Sequence, residues 1–381
     1  MEWISEETYR FRLSQFKTRL LNWLEKDPCV IEPRERWNEV MSFIKGHAEL
    51  PDLSISRPMQ RIKWGIPVPG DATQTIYVWF DALLSYLSTV STLDATGSIV
   101  TTGPWPPSLQ IIGKDILRFH AVYYPAILMA ADLPLPTRLL CHSHWLSGDG
   151  TKMSKSRGNA IDPYIILTAF NKDIDVARFW LCRLGGLTKD RPWDWARVRH
   201  GYDKVLRGQL GNLIGRITSP KVNLERRFLP RHDIHVKPDR DGHLLEVIDS
   251  TKELYEQAMN QGHVGKSLEI VTDLLSETNK YVTRTEPWRL TTSTSADQDR
   301  TAVLHVVGNA TRIASMLLQP VMPGKSQHLL DRLAVSKETR SWHHGVSPQH
   351  WNPSASTNLD TVNTDHVLFP PLTWKSSPLN A

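Results

Sequence analysis

Cysteine is scarce in this chain, and no uninterrupted apolar run is long. The 381 residues include three cysteines, Cys29, Cys141 and Cys182, which lie far apart and form no CxxC pair. This spacing excludes a disulfide framework and a zinc knuckle, so we expect no zinc and no other resident metal. Apolar residues make up 40% of the sequence. Because none of their runs reaches the length of a membrane span, we expect no membrane partner.

Further absences narrow the functional class. Gly113-Lys114 is followed by Asp115 rather than by Ser or Thr, so this stretch is not a P-loop of the Walker A type. Lys and Arg are spread along a chain of net charge +5, which permits a polyanionic partner without identifying one. Glutamate occupies three of the first seven positions, unlike an Arg-rich transit peptide.

The most informative stretch is a glycine-flanked loop between His142 and Pro163. It contains Lys152-Met153-Ser154-Lys155-Ser156, in which two lysines stand three residues apart among hydroxyl side chains. Glycines let such a loop flex and approach a polyphosphate closely. Two ammonium groups placed there would stabilise the charge that develops on a departing pyrophosphate. Taken alone, the pentamer is more typical of a solvated turn.

Two predicted helices carry a second set of candidate residues. These residues are Trp79, Ala82, Tyr86, Ile116 and His120. The first helix begins where a predicted strand, residues 75–78, ends, and the second is opened by Gly113. Ligands of open parallel sheets bind beyond the carboxyl ends of the strands, where such helices begin. Aromatic rings, a small side chain and an imidazole suit an unbranched thioether, although spacing alone favours an ordinary aromatic core.

The second half of the chain is predicted to be helical. Residues 196–325 show few strand signals and several amphipathic segments, which indicates a helical bundle. Asn212 and Arg216 are four apart on one helix face, and Trp288 follows Pro287 near a predicted helix start. Asn, Arg and Trp together suit the reading of single-stranded RNA. The alternative is a helix cap and a core tryptophan.

Phrases along the chain resemble the methionyl-tRNA synthetase family of class I aminoacyl-tRNA synthetases, and they occur in the family's order. The phrases are ISRP at 55–58, WGIPVPGD at 64–71, IYVWFDALLSYL at 76–87, IIGKDILRFHAVYYPAILMAADLPLP at 111–136, KMSKSRGN at 152–159, LGNLIGR at 210–216 and EPW at 286–288. The likeness spans about residues 1 to 325 and is to the short bacterial and mitochondrial type.

The resemblance implies an α/β fold. We expect the second half of a doubly wound parallel nucleotide-binding (Rossmann-like) sheet, followed by an α-helical bundle that binds an anticodon. The implied parts are the end of a connective-peptide insertion (1–47), the second half of the catalytic domain with the KMSKS loop (48–188), the anticodon-binding domain (189–325) and a partly irregular C-terminal tail (326–381). In the tail, residues 366–370 resemble the family's terminal strand.

The resemblance also assigns roles to individual residues. The implied catalytic residues are Lys152 and Lys155. The implied ATP-binding residues are Gly113, Asp115, Lys152, Met153, Ser154, Lys155 and Ser156. The implied methionine-binding residues are Trp79, Ala82, Tyr86, Ile116 and His120, and the implied anticodon-binding residues are Asn212, Arg216 and Trp288. Leu83 departs from the proline that some family members have there, so the pocket wall is expected to differ.

The implied activity is that of a methionine–tRNA ligase, which activates methionine with ATP and Mg²⁺ and transfers it to tRNA(Met). We expect a monomer in the mitochondrial matrix, with the cytoplasm as the alternative. The first 50 residues contain no HIGH-type histidine pair, so the chain resembles an N-terminally truncated synthetase that is inactive alone. One alternative is a catalytically silent tRNA-binding fragment. Another, a different ATP-dependent adenylyltransferase, explains the lysine loop but not the aromatic pocket or the RNA-reading helices.

Overall fold

The structure, a computed structural model, describes residues 6–224, 228, 234–290, 294–345, 351 and 367–373. The chain divides into two compact units. Unit 1 comprises Met1–His144 and Leu187–Lys189, and unit 2 comprises Trp145–Gly186 and Asp190–Ala381. The domain bounds expected from the sequence at 47, 188 and 325 stay predictions.

Unit 1 contains short strands and α-helices. Its strands are β1 (Arg10–Phe11), β2 (Ile31–Glu32), β3 (Leu53–Ser54), β4 (Ser56–Pro58), β5 (Pro67–Val68), β6 (Asp71–Ile76), β7 (Ser91–Leu93), β8 (Ile99–Thr101), β9 (Gln110–Gly113) and β10 (Leu139–His142). Its helices are α1 (Lys17–Lys26), α2 (Arg34–Gly46), α3 (Val78–Ser88) and α4 (Tyr124–Ala130).

A parallel sheet in the order β2-β10-β9 forms the centre of unit 1. β10 pairs in parallel with both neighbours, and His142 at its carboxyl end stands opposite Gly113 of β9. Leu139 and Cys141 are fully buried, as expected for a central parallel strand that is covered on both faces. The parallel α/β class expected from the sequence is therefore confirmed.

The two helices predicted to carry the candidate pocket differ from each other in regularity. α3 starts two residues after β6, so the strand predicted to reach Val78 ends earlier, at Ile76. Leu83 of α3 is buried in a small core with Tyr124 of α4. The second segment is not one α-helix: a 3₁₀ turn (Lys114–Ile116) and a π-helical turn (Phe119–Tyr123) precede α4. π-Turns occur frequently at functional sites.

Unit 2 is mainly helical. Its strands are β11 (Trp145–Leu146) and β12 (Arg191–Pro192). Its α-helices are α5 (Pro163–Ala169), α6 (Ile174–Leu184), α7 (Trp195–Gly201), α8 (Asn212–Ile217), α9 (Pro238–Asn260), α10 (Val264–Thr285), α11 (Thr294–Leu318), α12 (Pro323–Arg332) and α13 (Trp342–Gly345). A π-helical segment, Tyr202–Gly211, joins α7 to α8. The bundle predicted for this part of the chain is confirmed.

The helices α9, α10 and α11 are tied by a buried polar network as well as by apolar packing. The Tyr281 hydroxyl of α10 donates to the fully buried carboxylate of Asp241 on α9, at 2.6 Å. Arg240 pairs with Asp241 at 2.6 Å and with Asp299 of α11 at 2.9 Å. Because each buried charge has a partner, the network avoids the cost of an uncompensated ion.

Residues 296–318 of α11 are apolar and long enough to cross a membrane by length and composition. This differs from the sequence expectation, since the apolar residues of α11 are interrupted by polar ones. Of its most apolar window, 94% is buried inside the protein. A buried core helix of a globular protein can have the same length and apolar composition as a membrane span. These two properties of α11 are therefore weak evidence for a membrane segment.

Two local predictions are wrong. Trp288 does not lie near a helix start but in a turn after α10, where Glu286 takes a left-handed conformation with φ 39° and α11 begins only at Thr294. Residues 367–370 form no strand; they are irregular, with Phe369 buried. The first residue of that predicted strand, His366, lies outside the described residues.

Candidate functional site

Tyr86 of α3 and His120 of the π-turn are brought together in unit 1. Their side chains meet at 2.9 Å between Tyr86 Oη and His120 Nε2. His120 Nδ1 lies 3.0 Å from the carbonyl oxygen of Ile116, which can only accept, so Nδ1 carries a proton. Burial lowers the pKa of His120, which keeps the ring neutral near pH 7. Nε2 therefore accepts, and the Tyr86 hydroxyl donates.

Trp79 lies in an aromatic cluster on the same face of unit 1. Its ring centroid is 5.7 Å from that of Phe119 and 5.8 Å from that of Tyr123. Its Nε1 donates to the Ser54 carbonyl at 3.3 Å, which fixes the ring orientation. Polarisable rings arranged in this way suit contact with sulfur.

The remaining two predicted pocket residues are exposed. Ala82 lies one turn before Tyr86 on α3, and Ile116 is 39% exposed one turn before His120. Both therefore leave surface that a ligand could cover. Leu83, which stands where some family members have proline, has a packing role, since its side chain is buried against α4.

Gly113 and Asp115 lie at the carboxyl edge of the parallel sheet. A Cβ on Gly113 would stand 2.8 Å from the Asp115 carboxylate, so glycine allows that carboxylate to lie close over the backbone. The Asp115 side chain is 54% exposed and stands 3.7 Å from Nε2 of His144. A carboxylate at this edge can accept hydrogen bonds from the hydroxyls of a bound sugar.

The lysine loop of unit 2 begins with a tight turn. Asp149 accepts from the Ser147 hydroxyl at 2.5 Å and from the Thr151 amide at 3.0 Å, and Gly150 takes φ 80°. These hydrogen bonds lower the pKa of Asp149 to about 2. Leu146 then pairs with Lys152 in an antiparallel β-bridge, so the first lysine of the pentamer lies at the end of a small hairpin.

Asn159 holds the KMSKS pentamer in place. Its Oδ1 accepts from the Ser154 amide at 2.8 Å. Its Nδ2 reaches the Thr151 hydroxyl at 2.9 Å and the Lys152 carbonyl at 3.1 Å. Sequence reasoning missed this residue, although the RGN that follows the pentamer was a usable signal, because Asn side chains often bond to nearby backbone.

The five pentamer residues face different surroundings. Lys152, Lys155 and Ser156 are exposed, while Met153 packs against the hydrophobic core of unit 2. Ser154 caps the 3₁₀ turn Lys155–Arg157 by accepting from the Arg157 amide at 3.3 Å. Met153 anchors the loop, and the two lysine side chains extend into solvent.

Arg216 and Trp288 are brought together in unit 2, although 71 residues separate them. The Arg216 guanidinium lies over the Trp288 ring, 4.8 Å from its centroid, and 42% of Trp288 is exposed. Asn212 is exposed one turn earlier on α8. A guanidinium, an exposed indole and an amide on one surface can bind an unpaired nucleobase by stacking and hydrogen bonds.

No group of three His, Cys, Asp or Glu side chains that could hold a metal ion occurs in the described parts of the chain. The expectation that this chain binds no zinc stays a prediction.

The model of the family described as tRNA synthetases class I (M) matches residues 1–218. The chain belongs to this family. A second model, for the anticodon binding domain of methionyl tRNA ligase, matches residues 235–369. As a class I (M) synthetase chain, it has its lysine loop and its Asn212–Arg216 helix within the first match and Trp288 within the second.

Relatives of this synthetase family cover nearly the whole chain. A protein named methionine–tRNA ligase, mitochondrial, from Bos taurus is 37% identical over 98% of this chain and 64% of its own length. A probable methionine–tRNA ligase, mitochondrial, from Neurospora crassa is 37% identical over 90% of this chain and 56% of its own. The chain thus spans about three fifths of the length of these curated relatives.

Solved structures agree with the fold. The crystal structure of Mycobacterium tuberculosis methionyl-tRNA synthetase bound by methionyl-adenylate matches with a TM-score of 0.84 at 34% identity. The match covers 97% of this chain and 70% of that chain. The predicted fold class, a parallel α/β sheet followed by a helical anticodon-binding region, is therefore confirmed.

Proposed function

We propose that this chain carries the methionine-binding, pyrophosphate-stabilising and anticodon-reading parts of a methionine–tRNA ligase. The observation that carries the proposal is the neutral His120, bonded to Tyr86 beside the aromatic cluster around Trp79. An unbranched thioether fits between rings and presents no charge. A buried imidazole that stays neutral avoids desolvating a cation next to it.

Activation of methionine joins its carboxylate to the α-phosphate of ATP and releases pyrophosphate. In this proposal Asp115 accepts from the ATP ribose, and Gly113 lets the nucleotide approach the backbone. Lys152 and Lys155 stabilise the charge on the departing pyrophosphate, with Ser154 and Ser156 as hydroxyl partners and Met153 as backbone support. Mg²⁺ arrives with the ATP phosphates, since this metal keeps few protein ligands.

Transfer of the methionyl group requires tRNA(Met), which Asn212, Arg216 and Trp288 read at the anticodon. Stacking on Trp288 and hydrogen bonds from Asn212 would bind an unpaired base. The names of the Bos taurus and Neurospora crassa relatives support a mitochondrial location for this activity. We further propose a monomer.

A second candidate is a tRNA-binding role of residues 1–381 that involves no adenylation by these residues alone. Residues 1–50 contain no HIGH-type histidine pair to hold the ATP phosphates opposite the two lysines. We therefore expect residues 1–381 alone to bind tRNA(Met) but to form methionyl-adenylate at the background rate.

Two assays on the purified 381-residue chain test both candidates. We expect background methionine-dependent pyrophosphate exchange, together with binding of tRNA(Met) that a changed anticodon abolishes. Clear exchange would show that other residues replace the histidines, and absence of tRNA binding would refute both candidates. In the chain joined to the histidine-bearing segment of a relative, Lys155→Ala should lower exchange about 10²–10³-fold while methionine affinity is kept.

A further inference from the structure

Trp64 is the most exposed large apolar side chain among the described residues. It is 90% exposed, whereas tryptophan is highly buried on average in folded proteins. It belongs to the WGIPVPGD phrase of unit 1, to which the candidate pocket and the lysine loop assign no role. Its neighbours Lys63 and Ile66 are exposed as well.

The loop that carries Trp64 is pinned at both ends to β6. On one side the Thr75 hydroxyl donates to the Ile62 carbonyl at 3.2 Å. On the other side the Ile76 amide donates to the Ile66 carbonyl at 2.8 Å. Trp64 therefore stands at the apex of a fixed loop and does not owe its exposure to a free end.

Gly65 sets the closeness of this loop to β6. Its φ is 154°, and a Cβ there would stand 2.4 Å from Cγ2 of Thr75. Glycine thus lets the backbone press onto the strand, which directs the preceding indole outward.

The charge beside Trp64 is positive. Lys63 is exposed and makes no ion pair with the described residues, whereas Arg61 is engaged with Glu6. An indole with a neighbouring ammonium group favours a planar, anionic ligand, that is, a nucleotide.

The same loop is hydrogen-bonded to the end of the strand that leads into α3, a helix that carries candidate methionine residues. Ile76, to which Ile66 is bonded, lies three residues before Trp79 of α3. A nucleotide held by Trp64 would therefore belong to an RNA segment that comes to the amino-acid-binding unit, not to the anticodon surface of unit 2.

We propose that Trp64 is a stacking platform for a nucleobase in the single-stranded 3′ end of tRNA(Met). This inference rests on the proposed function. The exposed stretch Lys63–Pro67 is short: a specific protein interface needs roughly 800 Å² on each partner, whereas a base needs one aromatic face. Stacking there would hold the acceptor end beside the site where methionine is activated.

The test compares Trp64→Ala, Trp64→Phe and Trp64→Leu in the 381-residue chain. The probe is a fluorescent tRNA(Met) transcript, either intact or without its unpaired 3′ nucleotides, measured by anisotropy at fixed salt. We expect Trp64→Ala to weaken binding of the intact RNA roughly 5- to 150-fold, the range for loss of one stacked base, with no effect on the shortened RNA. Phe should restore most of the affinity and Leu little, because Leu has no aromatic face.

The control is Leu93→Ala, which removes another exposed apolar side chain of unit 1, 69% exposed. It should leave binding of both RNAs unchanged. Equal affinities of native and Trp64→Ala chains for the intact RNA would overturn the inference alone. Rescue by Leu as good as by Phe would also overturn it, because it would indicate a general apolar contact with the RNA and not aromatic stacking. If the native chain bound no tRNA(Met), the proposed function itself would fail.

Discussion

At the scale of single residues, the charge state of His120 decides what its pocket can bind. The imidazole is 4% exposed, and both nitrogens have hydrogen-bond partners when the ring is neutral with Nδ1 protonated. In a protonated ring, Nε2 could donate to the Tyr86 hydroxyl, which can also accept. The ring would then be a cation in a desolvated site, which is costly. The neutral form therefore fits the uncharged thioether side chain of the methionine proposed for this pocket.

We predict that His120 titrates below the usual histidine value of 6.5 and that Tyr86→Phe raises its pKa. Burial disfavours the charged form, and the Tyr86 hydroxyl stabilises the neutral one by donating to Nε2. Since the unfolded chain binds the proton at higher pH, this group stabilises unit 1 fully above about pH 6.5 and less as pH falls towards the folded pKa. The His120 Cε1 proton shift in an NMR titration checks both statements, and Tyr164→Phe is a control that should not move it.

The aromatic cluster gives a second prediction at this scale. Trp79→Ala should weaken methionine binding roughly 2- to 13-fold for each lost sulfur–ring contact, while ATP affinity stays the same. Equilibrium dialysis with both ligands measures this. Trp79→Phe, which keeps a ring, should lose less. Equal losses for both ligands would identify Trp79 as a core residue.

Residue spacing predicted part of this pocket and missed the rest for a physical reason. The i, i+4 relation of Ile116 and His120 is local, so the sequence contains it, and the structure shows it as a bond between the His120 ring and the Ile116 carbonyl. The Tyr86–His120 bond joins residues 34 apart on different segments. Such a pair depends on how α3 packs against the π-turn that precedes α4, which no local pattern encodes.

At the scale of elements, the conformation of the lysine loop is fixed by side chains other than the two lysines. Asp149 closes its first turn by accepting from the Thr151 amide, and Asn159 accepts from the Ser154 amide. Met153 packs against the core of unit 2. Local hydrogen bonds of Asx residues can therefore set the direction of two flexible lysines.

Asn159→Ala should release the loop without unfolding unit 2. Losing three hydrogen bonds of Asn159, each worth at least about 0.5 kcal/mol net, would raise the open population at least roughly tenfold. Trypsin cleavage after Lys152 and Lys155 should speed up by a similar factor, provided that opening is fast compared with cleavage. Ser156→Ala removes a hydroxyl that lies 3.3 Å from Ser154 and should leave the rate unchanged. An unaltered rate in Asn159→Ala would mean that Asp149 and Met153 suffice.

The turn that carries Trp288 shows where element prediction fails. Pro287 suggested a helix start, because proline is common at the first helical position. Instead, Glu286 in a left-handed conformation ends α10, and Arg289 closes the turn by donating to the Glu286 carbonyl at 2.8 Å. A non-glycine residue with positive φ is rare, so the sequence favoured the commoner reading.

At the scale of the whole molecule, the candidate ligand-binding residues are divided between two compact units. The candidate methionine residues belong to unit 1, and the Arg216–Trp288 pair belongs to unit 2. Substitution of Trp79 should therefore affect methionine binding, and substitution of Arg216 or Trp288 should affect tRNA binding at the anticodon surface.

Trp288→Ala should weaken tRNA(Met) binding roughly 5- to 150-fold and leave methionine binding unchanged. The loss follows from removal of the ring on which Arg216 and an unpaired base can stack. Anisotropy with the tRNA and dialysis with methionine give the two numbers. Tyr164→Ala, which removes a 77% exposed aromatic side chain of the same unit, is the control. A parallel loss of methionine binding would identify Trp288 as a structural residue.

The apolar character of α11 has a consequence for synthesis on the ribosome. Before it has packed against other helices, an apolar segment of this length can bind to lipid or to chaperones. Its packing partners α9 and α10 precede it in the chain, and synthesis runs from the N-terminus at about 5–20 residues per second. Two docking helices have therefore already emerged when α11 leaves the exit tunnel. Chain order thus offers the nascent helix a protein surface before it meets a membrane, and moving α11 ahead of α9 in a circular permutant would remove that protection.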